Sequence, residues 1–170
     1  QTSSPGVGSN QAYGVAVDGS GIYVVGYDSY VGDDEWRIEK RSLTNGDLIW
    51  STTSNPGPDY DEAYGVAVDG SGIYIVGSAR HPGADDEWRI EKRSLTDGTL
   101  IWSRTSDPSA GDDAAYGVAV DGSGIYIVGH DNDYAEWRIE KRRLANGALL
   151  WSQTSSPGVG SNQAYGVAVD

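Results

Sequence analysis

Apolar and polar positions along this chain alternate with a period of two in short runs, and the runs return about every fifty residues. In Tyr13–Val17, large Tyr13, Val15 and Val17 alternate with small Gly14 and Ala16, so neither face of an extended segment would be polar. Asp18-Gly19-Ser20-Gly21 follows, and its glycines are expected to supply the positive φ of a tight hairpin. Ile22–Gly26 is apolar on both faces, the signature of a strand covered on both sides. After a longer loop, Glu35–Leu43 places Trp36 and Ile38 on one face and Arg37, Glu39 and Arg41 on the other. Thr44-Asn45-Gly46-Asp47 is a hairpin signal, and Leu48–Thr52 completes the set. No segment carries a helical period with caps, so the pattern predicts an all-β chain of short strands.

The set of four strands repeats. "AYGVAVD" begins at Ala12, Ala63, Ala115 and Ala164, at spacings of 51, 52 and 49 residues, and each period carries EWRIEKR and a closing Trp-Ser. A period of this length marks a stacked architecture rather than a phosphate-binding glycine loop. Two covered strands followed by a half-polar one describe a small sheet wedged between similar sheets, which is a β-propeller blade of four antiparallel strands. The divisions are an inter-blade loop at 1–11, blades at 12–62, 63–114 and 115–163, and the first strand of a next blade at 164–170.

"AYGVAVDGSGIYVVG" resembles the opening of NHL-type blades and, more closely, the SBBP-type β-propeller repeats. Those combine a G-[VI]-A-V-D strand, a D-G turn, an I/V-Y-V strand and a closing L-x-W-S. "LTNGDLIWS" is similar to the T-G-x-x-x-W element of quinoprotein blades. The resemblance implies a rigid propeller platform for binding, and a fold of this kind does not confer an activity.

A propeller ring takes about 4 to 8 blades, and three leave raw edges that recruit other strands. Residues 1–18 are identical to residues 153–170, an offset of 152, although the other inter-blade loops, "NPGPDYDE" and "DPSAGDDA", differ from that segment and from each other. A variable loop that returns unchanged predicts a three-blade unit that itself repeats. The expected form is a six-bladed ring completed by a second copy, in a longer chain or a homodimer. An open filament through the duplicated strand is the alternative. Gln1 is no initiator, so a processed product or a window on a longer chain is expected.

Composition narrows the partners. The chain has 25 acidic and 12 basic residues, a net charge of −13 and a pI near 4.3, the opposite of the basic stripe that nucleic-acid binding requires. No apolar run approaches the roughly 20 residues of a membrane helix, so neither nucleic acid nor membrane insertion is expected. Without cysteine there is no disulfide framework and no thiolate site. An acidic, soluble chain of this kind is expected outside the cell or at its surface.

Candidate chemistry gathers in the loops that differ between copies, "YDSYVGDD", "SARHPGADD" and "HDNDYA", and in the inter-blade loops on the same end. Asp33, Asp34, Asp85, Asp86, Asp112 and Asp113 are paired carboxylates that could donate to Ca²⁺, though no EF-hand spacing is present. Tyr27, Tyr30, Tyr60 and Tyr134, with His81 and His130, are candidates for stacking on sugar rings or engaging a protein partner. No G-x-S-x-G elbow exists, and "DGSG" lacks the Lys-Ser/Thr and the helix of a P-loop. The quinoprotein likeness ends at the tryptophan turn, with no cysteine pair and too few blades for that cofactor, so no catalytic residue and no cofactor is assigned. The six tryptophans recur at fixed positions and are expected to pack. Arg37, Glu39, Arg41 and their copies are expected to form exposed ion-pair ladders between blades. The reading is a non-catalytic propeller scaffold for structural, protein or glycan interaction. A fragment of a larger propeller enzyme and a filament subunit are the alternatives.

Overall fold

The computed structural model describes residues 8–30, 33–80, 85–131 and 135–170, excepting the side chain of Tyr30. Twelve strands form three four-stranded antiparallel sheets, each in simple sequence order. The first holds β1 (Asn10–Asp18), β2 (Gly21–Tyr30), β3 (Asp33–Arg41) and β4 (Leu48–Ser54). The second holds β5 (Glu62–Asp69), β6 (Gly72–Arg80), β7 (Asp86–Arg93) and β8 (Leu100–Ser106). The third holds β9 (Ala114–Asp121), β10 (Gly124–Asp131), β11 (Glu136–Arg142) and β12 (Leu149–Ser155). Among the described residues no helix is long and apolar enough to cross a membrane. Successive sheets approach most closely at their first strands and diverge toward their fourth, an arrangement compatible with propeller blades.

The core lies between the sheets. Tyr23, Val25, Trp36 and Ile38 of the first sheet pack on Ala63, Ile73 and Ile75 of the second. Tyr74, Val76, Trp88 and Ile90 of the second pack in the same way on Ala115, Ile125 and Ile127 of the third. Trp36 and Trp88 are fully buried. Their indole Nε1 groups donate across the gap to the carbonyls of Ser78 at 3.1 Å and His130 at 2.9 Å. A buried indole keeps a polar handle that needs such an acceptor, and here the acceptor lies in the neighbouring sheet.

Two features of the turns differ from expectation. The Asp18–Gly21 turn and its copies contain no glycine with φ in the left-handed region. The Asp18 carboxylate closes the turn instead, accepting from the backbone N–H of Ser20 at 2.7 Å and of Gly21 at 3.0 Å. Positive φ appears in the other hairpin, at Gly46, Gly98 and Gly147. There Ser42 accepts from the Gly46 N–H at 2.9 Å, which ends β3 at Arg41 and leaves Leu43 in the turn.

The charged face of the third strand also departs from expectation. Its glutamates are buried and its arginines buried or half-buried, and the glutamate ion pairs run along each strand rather than between sheets. Glu91 is fully buried and holds Arg89 Nη2 at 3.0 Å and Arg93 Nη2 at 2.7 Å, its neighbours two residues away on the same face. Glu39 and Glu140 hold their flanking arginines in the same way. The link between sheets is a hydroxyl: Ser54 Oγ donates to Glu91 at 2.9 Å, and Ser106 Oγ to Glu140 at 2.9 Å. Removing one member of a buried ionic group strands the rest without compensation. Glu91→Ala is therefore expected to lower unfolding free energy by about 3–5 kcal/mol, read as a shift of the urea midpoint at unchanged slope.

Candidate functional site

The end of the stack where each first strand begins carries a run of tyrosines. Ring centroids of Tyr13 and Tyr64 lie 5.3 Å apart, those of Tyr64 and Tyr116 5.1 Å, and those of Tyr116 and Tyr165 5.0 Å. Tyr27 flanks Tyr13 at 5.9 Å, and His130 flanks Tyr116 at 5.3 Å. Separations of this size with tilted planes are favourable for aromatic pairs.

Two local devices aim these rings. The β1–β2 register shifts by one residue at Tyr13, which sits between Ala12, paired with Gly26, and Gly14, paired with Val25. The same shift falls at Tyr64 and Tyr116. Such bulges interrupt the strict period of two and can re-aim a side chain, and the interruption falls at the tyrosine in each sheet. The glycine after each tyrosine then lets neighbouring first strands close up. A methyl on Gly14 would lie 2.8 Å from the Tyr64 carbonyl, and one on Gly65 would lie 2.7 Å from that of Tyr116.

Acidic groups surround the run. The Tyr64 hydroxyl donates to Glu62 Oε2. Desolvation, reinforced by that carboxylate, holds the Tyr64 phenol well above its ordinary value. Tyr13 is pushed up to about 12, first by desolvation and then by the charge of Glu62. At the rim Asp28 lies 3.8 Å from Arg37, and Asp131 lies 3.6 Å from Arg138. Desolvation raises both carboxyls against the opposing pull of their arginines.

The paired aspartates serve mainly as loop pins. Asp33 accepts from Asn55 Nδ2 at 2.8 Å, and Asp34 accepts from the Ser29 hydroxyl. Consecutive residues on a strand point to opposite faces, so Asp33 and Asp34, both in β3, do not converge as a chelating pair. Asp113 is fully buried and accepts from Ser109 Oγ at 2.9 Å. Asp85 is exposed. Asp86 and Asp112 do come together, the Asp86 N–H donating to Asp112 Oδ1 at 3.2 Å. Desolvation and then the Asp112 charge raise the Asp86 carboxyl. Among the described residues no three His, Cys, Asp or Glu side chains group to hold a metal ion.

Of the aromatic and histidine candidates, Tyr60 is exposed between β4 and β5. Tyr27 and His130 are not on open loops: they are buried within β2 and β10, where they wedge against the tyrosine run. His81 and Tyr134, and the Tyr30 side chain, lie outside the described residues. Sequence reasoning missed Tyr13, Tyr64, Tyr116 and Tyr165. Their signal was the Tyr-Gly pair recurring at one place in every first strand. Compared with protein-family models and with curated proteins, the chain matches none.

Two expectations follow. An alkaline absorbance titration should resolve a tyrosine near pH 12, Tyr13, and Glu62→Gln should move it down. Because the folded value exceeds the unfolded one, the associated stability is present below about pH 10 and is lost as pH rises through about 12. Opposite the bulge, a methyl on Gly77 would lie 2.0 Å from the Glu62 carbonyl, whereas one on Gly70 meets nothing within 4 Å. Gly77→Ala is expected to cost about 1–3 kcal/mol or more, and Gly70→Ala less than about 0.5 kcal/mol, both by urea denaturation.

Proposed function

We propose that this chain is a non-catalytic β-propeller scaffold acting outside the cell or at its surface, which binds a protein or glycan partner at the tyrosine-bearing end. In this reading its three sheets are half of a six-bladed ring of the kind seen in SBBP-type and NHL-type repeats. The observation that supports it most is the tyrosine run, held by a bulge and a glycine in each sheet and bordered by carboxylates. Phenol rings offer flat apolar faces to a sugar ring, and their hydroxyls and the nearby acids offer hydrogen bonds to its rim. Rigid sheets beneath divergent loops suit recognition on a platform. Cysteine and methionine are absent, so no thiol or thioether is open to oxidation in an oxidising exterior. The net charge of −13 favours solubility and turns away polyanions.

The test is affinity electrophoresis of the full chain through gels cast with neutral polysaccharides, alongside a screen of surface-protein extracts. Tyr13→Ala and Tyr60→Ala are each expected to weaken the retained interaction about two- to tenfold, the range for one aromatic contact. Retention indifferent to both substitutions would overturn the assignment of the binding face. Turnover by the purified chain would overturn the non-catalytic reading.

A further inference from the structure

The two outermost sheet faces are complementary halves of the junction that this chain already makes twice. Each internal junction has three recurring contacts. A third-strand tryptophan donates to a second-strand carbonyl in the next sheet, as Trp36 does to Ser78 and Trp88 to His130. A fourth-strand serine donates to the buried glutamate of the next sheet, as Ser54 does to Glu91 and Ser106 to Glu140. A fourth-strand tryptophan covers the turn glycine of the next sheet. A methyl on Gly98 would lie 2.8 Å from the Trp50 ring, and one on Gly147 would lie 2.6 Å from that of Trp102.

The third sheet carries the donor half of a further junction. By register Trp137, Ser155 and Trp151 correspond to Trp88, Ser106 and Trp102. Trp137 is 39% exposed where Trp88 is fully buried, and Trp151 is 41% exposed against 9% for Trp102. A cleft of about 300 Å³ opens there beside Trp137, Ser155 and Val128. The first sheet carries the receiving half. Tyr27, Glu39 and Gly46 stand where Ser78, Glu91 and Gly98 stand in the second. A cleft of about 290 Å³ lies over Tyr27 and Glu39, and nothing lies within 4 Å of the methyl position at Gly46.

The segment a second copy would bring is already seated. Residues 162–170 repeat residues 10–18 letter for letter. Tyr165 stacks on Tyr116 at 5.0 Å, and a methyl on Gly117 would lie 2.8 Å from the Tyr165 carbonyl, matching Gly14 against Tyr64. Residues 164–170 make no strand ladder, whereas β1 pairs along its length with β2.

We propose that a second copy of this chain seats its first sheet on the third sheet of its partner, and the reverse, closing a six-bladed ring. Trp137 donates to the Tyr27 carbonyl of the other copy, Ser155 to its Glu39, and Trp151 covers its Gly46. The incoming β1 keeps its own ladder and displaces residues 164–170 from the slot. This rests on the propeller reading above, and it names the partner and the contacts.

Sedimentation velocity and native mass spectrometry of the 170-residue chain over a dilution series test it. The expected species is about 36 kDa, twice the 18.1 kDa chain, with no larger assembly. Trp151→Ala is expected to raise the dissociation constant about tenfold at each junction, and so about a hundredfold for the dimer. Trp137→Phe, which keeps a ring but removes the donor, and Ser155→Ala should act in the same direction, and Gly70→Ala should leave the mass distribution unchanged. Near-ultraviolet circular dichroism of dilute samples confirms that each variant is folded. A monomer at every concentration overturns the seating but leaves ligand retention at the tyrosine end intact. A ladder of masses overturns closure, and a dimer indifferent to all three substitutions overturns the assigned contacts.

Discussion

The middle sheet of this protein is packed on both of its faces, so its core exists only with a neighbour on either side. Tyr74, Trp88 and Ile90 are buried against the third sheet while Ile73 and Ile75 of the same sheet are buried against the first. At about 25 cal/mol per Å² of apolar surface removed from water, such junctions dominate the stability of a chain with so little other core. The aromatic bulk comes from Trp and Tyr alone, since Phe and Met are absent. Each of these large rings brings a polar atom that usually takes a partner when buried. The junction is therefore apolar contact with built-in direction: Trp36 and Trp88 can be buried only where a carbonyl of the next sheet meets the indole N–H.

The charged residues complete that logic. A glutamate between two arginines on one strand face holds both guanidinium groups on a single carboxylate, and a serine hydroxyl of the adjoining sheet donates to the same carboxylate. The second arginine also donates to the turn carbonyl, as Arg93 does to Gly98 at 2.9 Å. At the other hairpin Lys40 donates to Ser20 at 3.0 Å and lies over the Tyr23 ring, while Ser20 bonds the Tyr23 hydroxyl and the Asp18 carboxylate. The same set recurs at Lys92 and Lys141. These ties explain why the turn and the EKR segment repeat together, 18 to 21 residues apart in number but adjacent in space. Both hairpin ends are thus stiffened, and variation is left to the opposite end, where the loops surround the tyrosine run.

Several features were plain in the residues. The period of two in Tyr13–Val17, the doubly apolar run Ile22–Gly26, the turn signals and the fifty-residue return predicted four antiparallel strands per unit, and three such sheets are present. The fixed tryptophans were legible as packing residues, and Trp36 and Trp88 pack. What escaped depended on a neighbouring sheet. Arg37, Glu39 and Arg41 read as a wet face because alternation reports polarity, not what lies opposite. The register shift at Tyr13 escaped because a bulge leaves no mark on residue type apart from the Gly26 opposite it. The partners of the aspartates also left no mark on residue type: Ser109 bonds Asp113 within one loop, and Asp112 meets Asp86 from the loop before β9.

The sequence by itself determined the unit: which residues extend, where the chain turns, how many times the pattern is used, and that residues 1–18 return at 153–170. Those properties are local or are read by counting, and backbone sterics with short-range polarity suffice for them. Only the tertiary structure decided which face of each strand is buried by what, where the tyrosines meet, and which edge groups remain to be covered. Those depend on distances between sheets that sequence separation does not encode. Trp36 and Ser78 stand forty-two positions apart yet 3.1 Å from donor to acceptor, and packing that close belongs to the stack as a whole.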